Sequence, residues 1–210
     1  MKPNWAEENL QTIRTLMERS ALYRRALAPI MILCGVIGMV GGVVGANLHM
    51  DSDANFLFFW AGTAGIALAG TFFLVRRQAL KDSEPFWSPP TKRISQALLP
   101  AFLIAGFATV ISAYMLGAHN RDEHIIFVIL WTWFFGCGVH AAGSFVQRGM
   151  KIFGWMFVVI GCGLFAFFIM DDQNLRGLCS PHLLMAVIFG GLHLAYGIYL
   201  YFTEKKNPAA

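Results

Sequence analysis

Apolar residues along this chain gather in six stretches of span length, separated by short polar connections. A run of about 20 apolar residues is long enough to cross the hydrocarbon core of a bilayer as a helix. The pattern therefore predicts an all-α integral membrane protein, a six-transmembrane-helix bundle of three antiparallel hairpins. The predicted spans are Pro29–Leu48, Phe56–Val75, Ala97–Gly117, Ile125–Val146, Ile152–Met170 and His182–Phe202.

The segments outside the spans complete a three-part organisation. Residues 1–28 are predicted to form a cytoplasmic amphipathic helix, since apolar residues such as Ile13 and Met17 recur at helical spacing. Residues 29–202 form the six-span membrane domain, and residues 203–210 form a cytoplasmic tail. A basic helix with one apolar face is typical of helices that lie on a membrane surface. We therefore expect this N-terminal helix to contact anionic lipid of the inner leaflet; the alternative is that its apolar stripe docks on a partner or on another copy of the chain.

An internal repeat relates the first two predicted hairpins. Shifting the chain by 71 residues aligns them without a gap, and the matches include Pro29 with Pro100 and Trp60 with Trp131. These positions set where a hairpin enters the membrane and where its aromatic residues lie. Two parallel repeats and a diverged third hairpin would give a pseudo-symmetric bundle, an arrangement found in carriers and in other membrane proteins.

Small residues at four-residue spacing indicate close packing between helices. In lipid, such residues allow two helix backbones to approach each other. We expect this packing to be internal to the bundle rather than a dimer contact. The pairs are Gly38 with Gly42, Gly41 with Gly45, Ala61 with Gly65, and Gly138 with Ala142.

Basic residues lie almost entirely at one end of the predicted bundle. Of the 16 Lys and Arg residues, only Arg121 and Arg176 fall in the connections at the other end. Because an excess of Lys and Arg marks the cytoplasmic side, both termini are predicted to be cytoplasmic, in the cytoplasmic (inner) membrane. The chain is 13% charged, against about 25% in soluble domains. Membrane insertion explains the net charge of +4, so no nucleic-acid partner is predicted.

The predicted spans carry no Asp, Glu, Lys or Arg in their interiors, which restricts the function classes. Ion-coupled carriers and proton pumps ordinarily carry such groups within the membrane, so a proton-driven pump is disfavoured. The spans offer neutral hydrogen-bonding groups instead, such as Thr63, Thr109 and Thr132. A small carrier for a neutral solute, using the axis between the repeats, stays open as an alternative.

Two histidines lie inside the predicted spans, His140 in the fourth and His193 in the sixth. Each follows a glycine by two residues, Gly138 and Gly191, which would leave room for a flat ligand. Imidazoles from two helices can hold haem iron, so a bis-histidine b-type haem electron-transfer protein is a second hypothesis. The predicted depths of the two histidines differ by about 5 Å. The favoured interpretation is therefore a neutral imidazole that hydrogen-bonds across helices, with no bound cofactor and haem b as the alternative.

Histidines and acids also gather in the connections at the predicted outer end. Such ligands could hold a divalent metal, but their spacing matches no closed site. Ser180 before Pro181 resembles a helix start instead. We therefore interpret these residues as solvated caps and turns and predict no metal site. They are His49, Asp51, Asp53, His119, Asp122, His124, Asp171, Asp172 and His182.

The sequence contains none of the catalytic motifs expected of an enzyme. It lacks a nucleophile elbow, a phosphate-binding glycine loop and an HExxH helix. No catalytic residue is predicted, and enzymatic activity is disfavoured. The leading hypothesis is a non-enzymatic accessory, assembly or regulatory component of the membrane that acts through protein contacts. Its predicted partners are the lipid bilayer and either another membrane protein or a second copy of the chain.

Overall fold

The computed structural model describes residues 27–48, 53–81, 89–116, 122–146, 148–170 and 180–204. Within these ranges the chain forms six helices and no strand, and all six are long and apolar enough to cross a membrane. This confirms the prediction of an all-helical, multi-pass membrane protein. The predicted surface helix and most of the predicted tail lie outside the described residues.

The six helices are numbered in chain order. The last, α6, is α-helical over Pro181–Met185, π-helical over Ala186–Gly191 and α-helical again over Leu192–Glu204. The others are α1 (Leu27–Asn47), α2 (Asp53–Lys81), α3 (Pro89–Leu116), α4 (Asp122–Ala142) and α5 (Arg148–Met170).

The connection between α2 and α3 is shorter than predicted. The second helix continues past Val75 to Lys81, and the third begins at Pro89 rather than at Ala97. A span ends where charged residues leave the hydrocarbon, but Arg, Gln, Ala, Leu and Lys are good helix formers, so the helix itself continues. Proline is favoured in the first turn of a helix because it has no N–H to leave unpaired there.

The fourth helix ends at Ala142, before the predicted Val146. The N–H of Gly143 still donates to the carbonyl of Val139 at 2.8 Å. A Cβ on Gly143 would lie 2.7 Å from the backbone nitrogen of Lys151. Glycine at this position therefore lets the start of α5 approach the end of α4.

A glycine face on α1 lies directly against α6. A Cβ on Gly35 would lie 2.5 Å from the backbone nitrogen of Leu194, and one on Gly38 would lie 2.9 Å from the Cα of Gly190. Gly42 continues this face. Only hydrogen fits at these positions, so the two backbones come close together and gain packing contacts that lipid would not supply. The small-residue spacing of the first span thus serves internal packing, as expected. The same expectation is wrong for Gly65 of the second span, at which an added Cβ would meet nothing within 4 Å.

The core of the described bundle lies where α4, α5 and α6 meet. Phe153 and Phe157 of α5 are 1% and 0% exposed and pack in one cluster with Val128 of α4. Glycines bring α4 and α5 together, since a Cβ on Gly136 would lie 2.9 Å from the carbonyl oxygen of Gly154.

The helices α2 and α3 are much less buried than the rest. Half of the residues in the apolar window of α4 are buried, against 11% for α3 and none for α2. A hydrogen bond from Trp131 Nε1 to Thr109 Oγ1, 2.9 Å long, joins α4 to α3. A weaker contact of 3.5 Å between Cys34 Sγ and Thr71 Oγ1 joins α1 to α2.

The π-helical turn in the middle of α6 was not predicted from the sequence. It ends at Gly190 and Gly191, and a Cβ on Gly190 would lie 2.5 Å from the backbone nitrogen of Met39. The irregular turn therefore coincides with a close approach of α1. Single π-helical turns inside α-helices are often found at functional sites, and the turn precedes His193.

Candidate functional site

Five aromatic and imidazole side chains, three of them buried and two half-buried, form a group where α2, α4 and α6 meet. His182, in the first turn of α6, is 1% exposed, and His124, in the first turn of α4, is 3% exposed. The other three members belong to the beginning of α2. We call this group the imidazole–aromatic cluster: Phe56, Phe59, Trp60, His124 and His182.

Within this cluster, Trp60 and His182 join α2 to α6 by a hydrogen bond. Trp60 Nε1 donates to His182 Nδ1 over 3.1 Å, and the two rings are stacked with an interplanar angle of 24°. Because an indole can only donate, Nδ1 must carry the lone pair. This hydrogen bond therefore requires the neutral imidazole with its proton on Nε2.

Phe56 lies between the two histidines of the cluster. Its ring centroid is 4.6 Å from that of His124 and 4.8 Å from that of His182. Phe59 meets His182 edge to face with centroids 5.6 Å apart. Aromatic rings from α2 thus connect the beginnings of α4 and α6 and keep both imidazoles out of contact with solvent.

The local sequence explains how His182 reaches this position. Ser180 is not helical, and its carbonyl accepts the N–H of Leu183 at 2.9 Å while its hydroxyl makes no capping bond. Pro181 follows as the first helical residue, which places His182 in the first turn. On α1, Gly45 faces the His182 ring so closely that a Cβ would overlap it.

The prediction of solvated histidines at this end is wrong for His124 and His182. Both are buried because each begins an apolar helical stripe; His182, for example, shares a face with Met185, which is also buried. A histidine in register with such a stripe is the signal that could have indicated burial. The predicted loop histidines His49 and His119 lie outside the described residues.

His193 is enclosed by aromatic rings in the centre of the bundle. Its ring centroid lies 5.2 Å from that of Phe135, 5.1 Å from that of Phe153 and 5.6 Å from that of Phe157. Its Nδ1 lies 2.6 Å from the carbonyl oxygen of Phe189, one turn earlier in α6. A carbonyl only accepts, so Nδ1 carries the proton and donates a hydrogen bond to the π-helical turn. This bond lies within α6, so the prediction of a hydrogen bond across helices is wrong for His193 Nδ1.

His140 lies elsewhere, against the first turns of α5. Its Nδ1 is 3.3 Å from the carbonyl oxygen of Lys151, and its ring meets Trp155 edge to face at 5.5 Å. On α5, the residues that contact His140 precede those that contact His193 by two positions, and two positions correspond to about 200° around the helix. The structure therefore places the two imidazoles against different faces of α5. The haem hypothesis gains no support from this placement and stays a prediction.

The side chains described at these sites make hydrogen bonds and aromatic contacts. Among the described residues, no three metal-ligating side chains lie together. Thr132, fully buried, donates to the carbonyl of Val128 in its own helix at 2.6 Å. Comparison of the chain with family models, with characterised proteins and with solved structures gave no match.

Proposed function

We propose that this protein is a non-enzymatic component of the membrane that acts through contacts with another membrane protein. The observation that carries this proposal is the uneven burial of the spans. The apolar window of α2 has no buried residue, whereas half of the corresponding window of α4 is buried. A span held by so few contacts within its own bundle has most of its surface left for a partner.

The exposed surface of α2 differs in shape from an ordinary lipid-facing surface. Phe58 and Ile66 are 78% and 64% exposed. Between them lie Gly62 and Gly65, at which an added Cβ would meet nothing within 4 Å. A shallow strip flanked by large side chains lets a second helix approach closely. Four glycines of α1, by contrast, are already in contact with α6: Gly35, Gly38, Gly42 and Gly45.

The centre of the bundle supports a contact role better than a transport role. The rings around His193 fill the space between α4, α5 and α6, and the centroids of Phe135 and Phe157 are only 4.9 Å apart. A carrier for a neutral solute needs a polar binding site near the middle of the membrane. The aromatic packing described at this centre offers none, so the carrier alternative is not adopted.

The proposed topology is three antiparallel hairpins. Two contacts between α1 and α2 support it, since Leu33 contacts Gly70 while Gly41 contacts Thr63. The later residue of α1 thus meets the earlier residue of α2. The excess of Lys and Arg near one end of the bundle supports a cytoplasmic location for that end and for both termini.

A repeat of the first two hairpins is part of the same proposal. The repeat-related residues Phe56 and Phe127 are 3% and 2% exposed and belong to one core cluster. Trp60 and Trp131 are also repeat-related, and each donates its indole N–H to another helix. Their acceptors differ. Trp60 donates to His182 of the third hairpin, and Trp131 donates to Thr109 within the second hairpin.

Purification after mild solubilisation tests the proposed contact role. We expect the tagged wild type to be recovered with a defined membrane protein, or as a homo-oligomer, and Gly65→Leu to lose that association. Gly163→Leu is the matched control, because Gly163 on α5 is also exposed and also has nothing within 4 Å of an added Cβ. A monomeric wild type without a partner, or equal loss in both variants, would contradict the proposal.

A further inference from the structure

One face of α2 near its end combines cationic and apolar side chains. These residues line a groove of about 530 Å³. Their spacing of three, four, seven and eight residues from the first member places them all on one side of the helix. We call this the basic groove: Phe73, Arg76, Arg77, Leu80 and Lys81.

The length of α2 places the basic groove at the level of lipid headgroups. From Phe56, buried at the beginning of the span, to Arg76 the helix rises about 30 Å. That distance equals the thickness of the hydrocarbon core of a bilayer, about 30 Å. The guanidinium groups therefore leave the hydrocarbon where lipid phosphates lie, and Leu80 continues the apolar surface beyond them.

The cations of the groove have no acidic residue near them within α2 itself. The only acidic residue of α2 is Asp53, at the opposite end. Arg76, Arg77 and Lys81 are all exposed, as are Phe73 and Leu80, which are 65% and 71% exposed. Three cations beside two apolar side chains match a ligand that has an anionic head and an apolar body.

We infer that the basic groove binds one anionic phospholipid, with the lipid phosphate held by Arg76 and Arg77. A guanidinium pairs with a phosphate through two parallel hydrogen bonds, which a single ammonium cannot reproduce. Lys81 adds charge for the remainder of the headgroup, and Phe73 lies on the membrane side, where an acyl chain begins. This inference rests on the membrane-spanning helix α2 and is independent of the proposed protein partner.

Native mass spectrometry of the full chain, with equal amounts of phosphatidylglycerol and phosphatidylcholine of matched acyl chains, tests the inference. The wild type should retain phosphatidylglycerol preferentially. We expect R76Q/R77Q to lower the phosphatidylglycerol-bound fraction by about tenfold, because the paired hydrogen bonds between the guanidinium groups and the lipid phosphate are lost. K92Q/R93Q is the matched control: it removes the same charge from exposed positions at the start of α3, and its bound fraction should match the wild type.

Further outcomes separate a specific lipid site from general surface charge. Equal losses in R76Q/R77Q and K92Q/R93Q would overturn the inference, as would equal retention of both lipids by the wild type. Displacement of the lipid by millimolar inorganic phosphate would instead indicate a site for the free anion, which also overturns it. R76K/R77K keeps the charge and the insertion signal, so it serves if the glutamine variant does not fold. It should bind about threefold less lipid, and unchanged binding would contradict the assigned role of the guanidinium groups.

Discussion

Trp60 Nε1 lies 3.1 Å from His182 Nδ1, and this hydrogen bond fastens the most exposed span to the buried beginning of α6. Lipid tails are as apolar as the side chains that face them, so apolar burial alone holds two membrane helices together only weakly. Hydrogen bonds and close backbone packing must therefore supply much of the free energy that holds the helices together. The imidazole–aromatic cluster therefore joins one end of α2 to α6, while α1 contacts α2 further along the helix.

A double-mutant cycle should detect this bond. We expect Trp60→Phe and His182→Leu to be coupled by about 0.6–1.7 kcal/mol, which spans the average and the maximum found for hydrogen bonds between membrane helices. Unfolding of detergent-solubilised protein by a denaturing detergent gives the four free energies. Trp155→Phe combined with His182→Leu is the control pair, since Trp155 packs against His140 instead. The changes in the free energy of unfolding caused by these two substitutions should be additive. A Trp60–His182 coupling indistinguishable from zero would show that the two residues do not stabilise each other.

Glycine to alanine substitutions should have opposite effects on α1 and on α5. Gly35→Ala drives a Cβ to 2.5 Å from the backbone of Leu194, which cannot rotate away, so we expect destabilisation by about 1–3 kcal/mol. Gly163→Ala meets no neighbour within 4 Å and should instead stabilise its helix by about 0.5–1 kcal/mol. Thermal unfolding of both variants and of the wild type shows whether each substitution stabilises or destabilises the protein. Tolerance of Gly35→Ala would mean that α1 and α6 are further apart than described.

The spans could be predicted from the sequence because lipid offers no hydrogen-bond partner to the backbone. Every segment that crosses it must therefore satisfy its own N–H and C=O groups, as a helix does. The glycine spacing on α1 was readable for the same reason, since only small residues allow such close approach. The apolar stripe of α6 could have indicated that His182 is buried, but its neighbours Gly45 and Trp60 could not be predicted, because they are distant in the chain. The π-helical turn could not be predicted from the sequence either. In this turn the register of α6 shifts by one residue where α6 packs on Met39.

The haem hypothesis can be tested by the visible spectrum of the purified protein. We expect no Soret band, because His140 and His193 lie against different faces of α5 and His193 is already surrounded by phenylalanine rings. A Soret band that disappears in both His140→Ala and His193→Ala, but persists in His182→Ala, would contradict this expectation. It would also show that the two imidazoles come together in a haem-bound form.

The proposed orientation can be tested by cysteine labelling of intact cells. In a variant with all four native cysteines replaced, we introduce Asn47→Cys at the end of α1 or Lys92→Cys at the beginning of α3, both at exposed positions. A membrane-impermeant maleimide should label Cys at position 47 from outside and reach position 92 only after the cells are opened. The physical reason is the retention of Lys and Arg on the cytoplasmic side during insertion. The opposite labelling pattern would reverse the bundle, and it would place the basic groove of α2 in the outer leaflet.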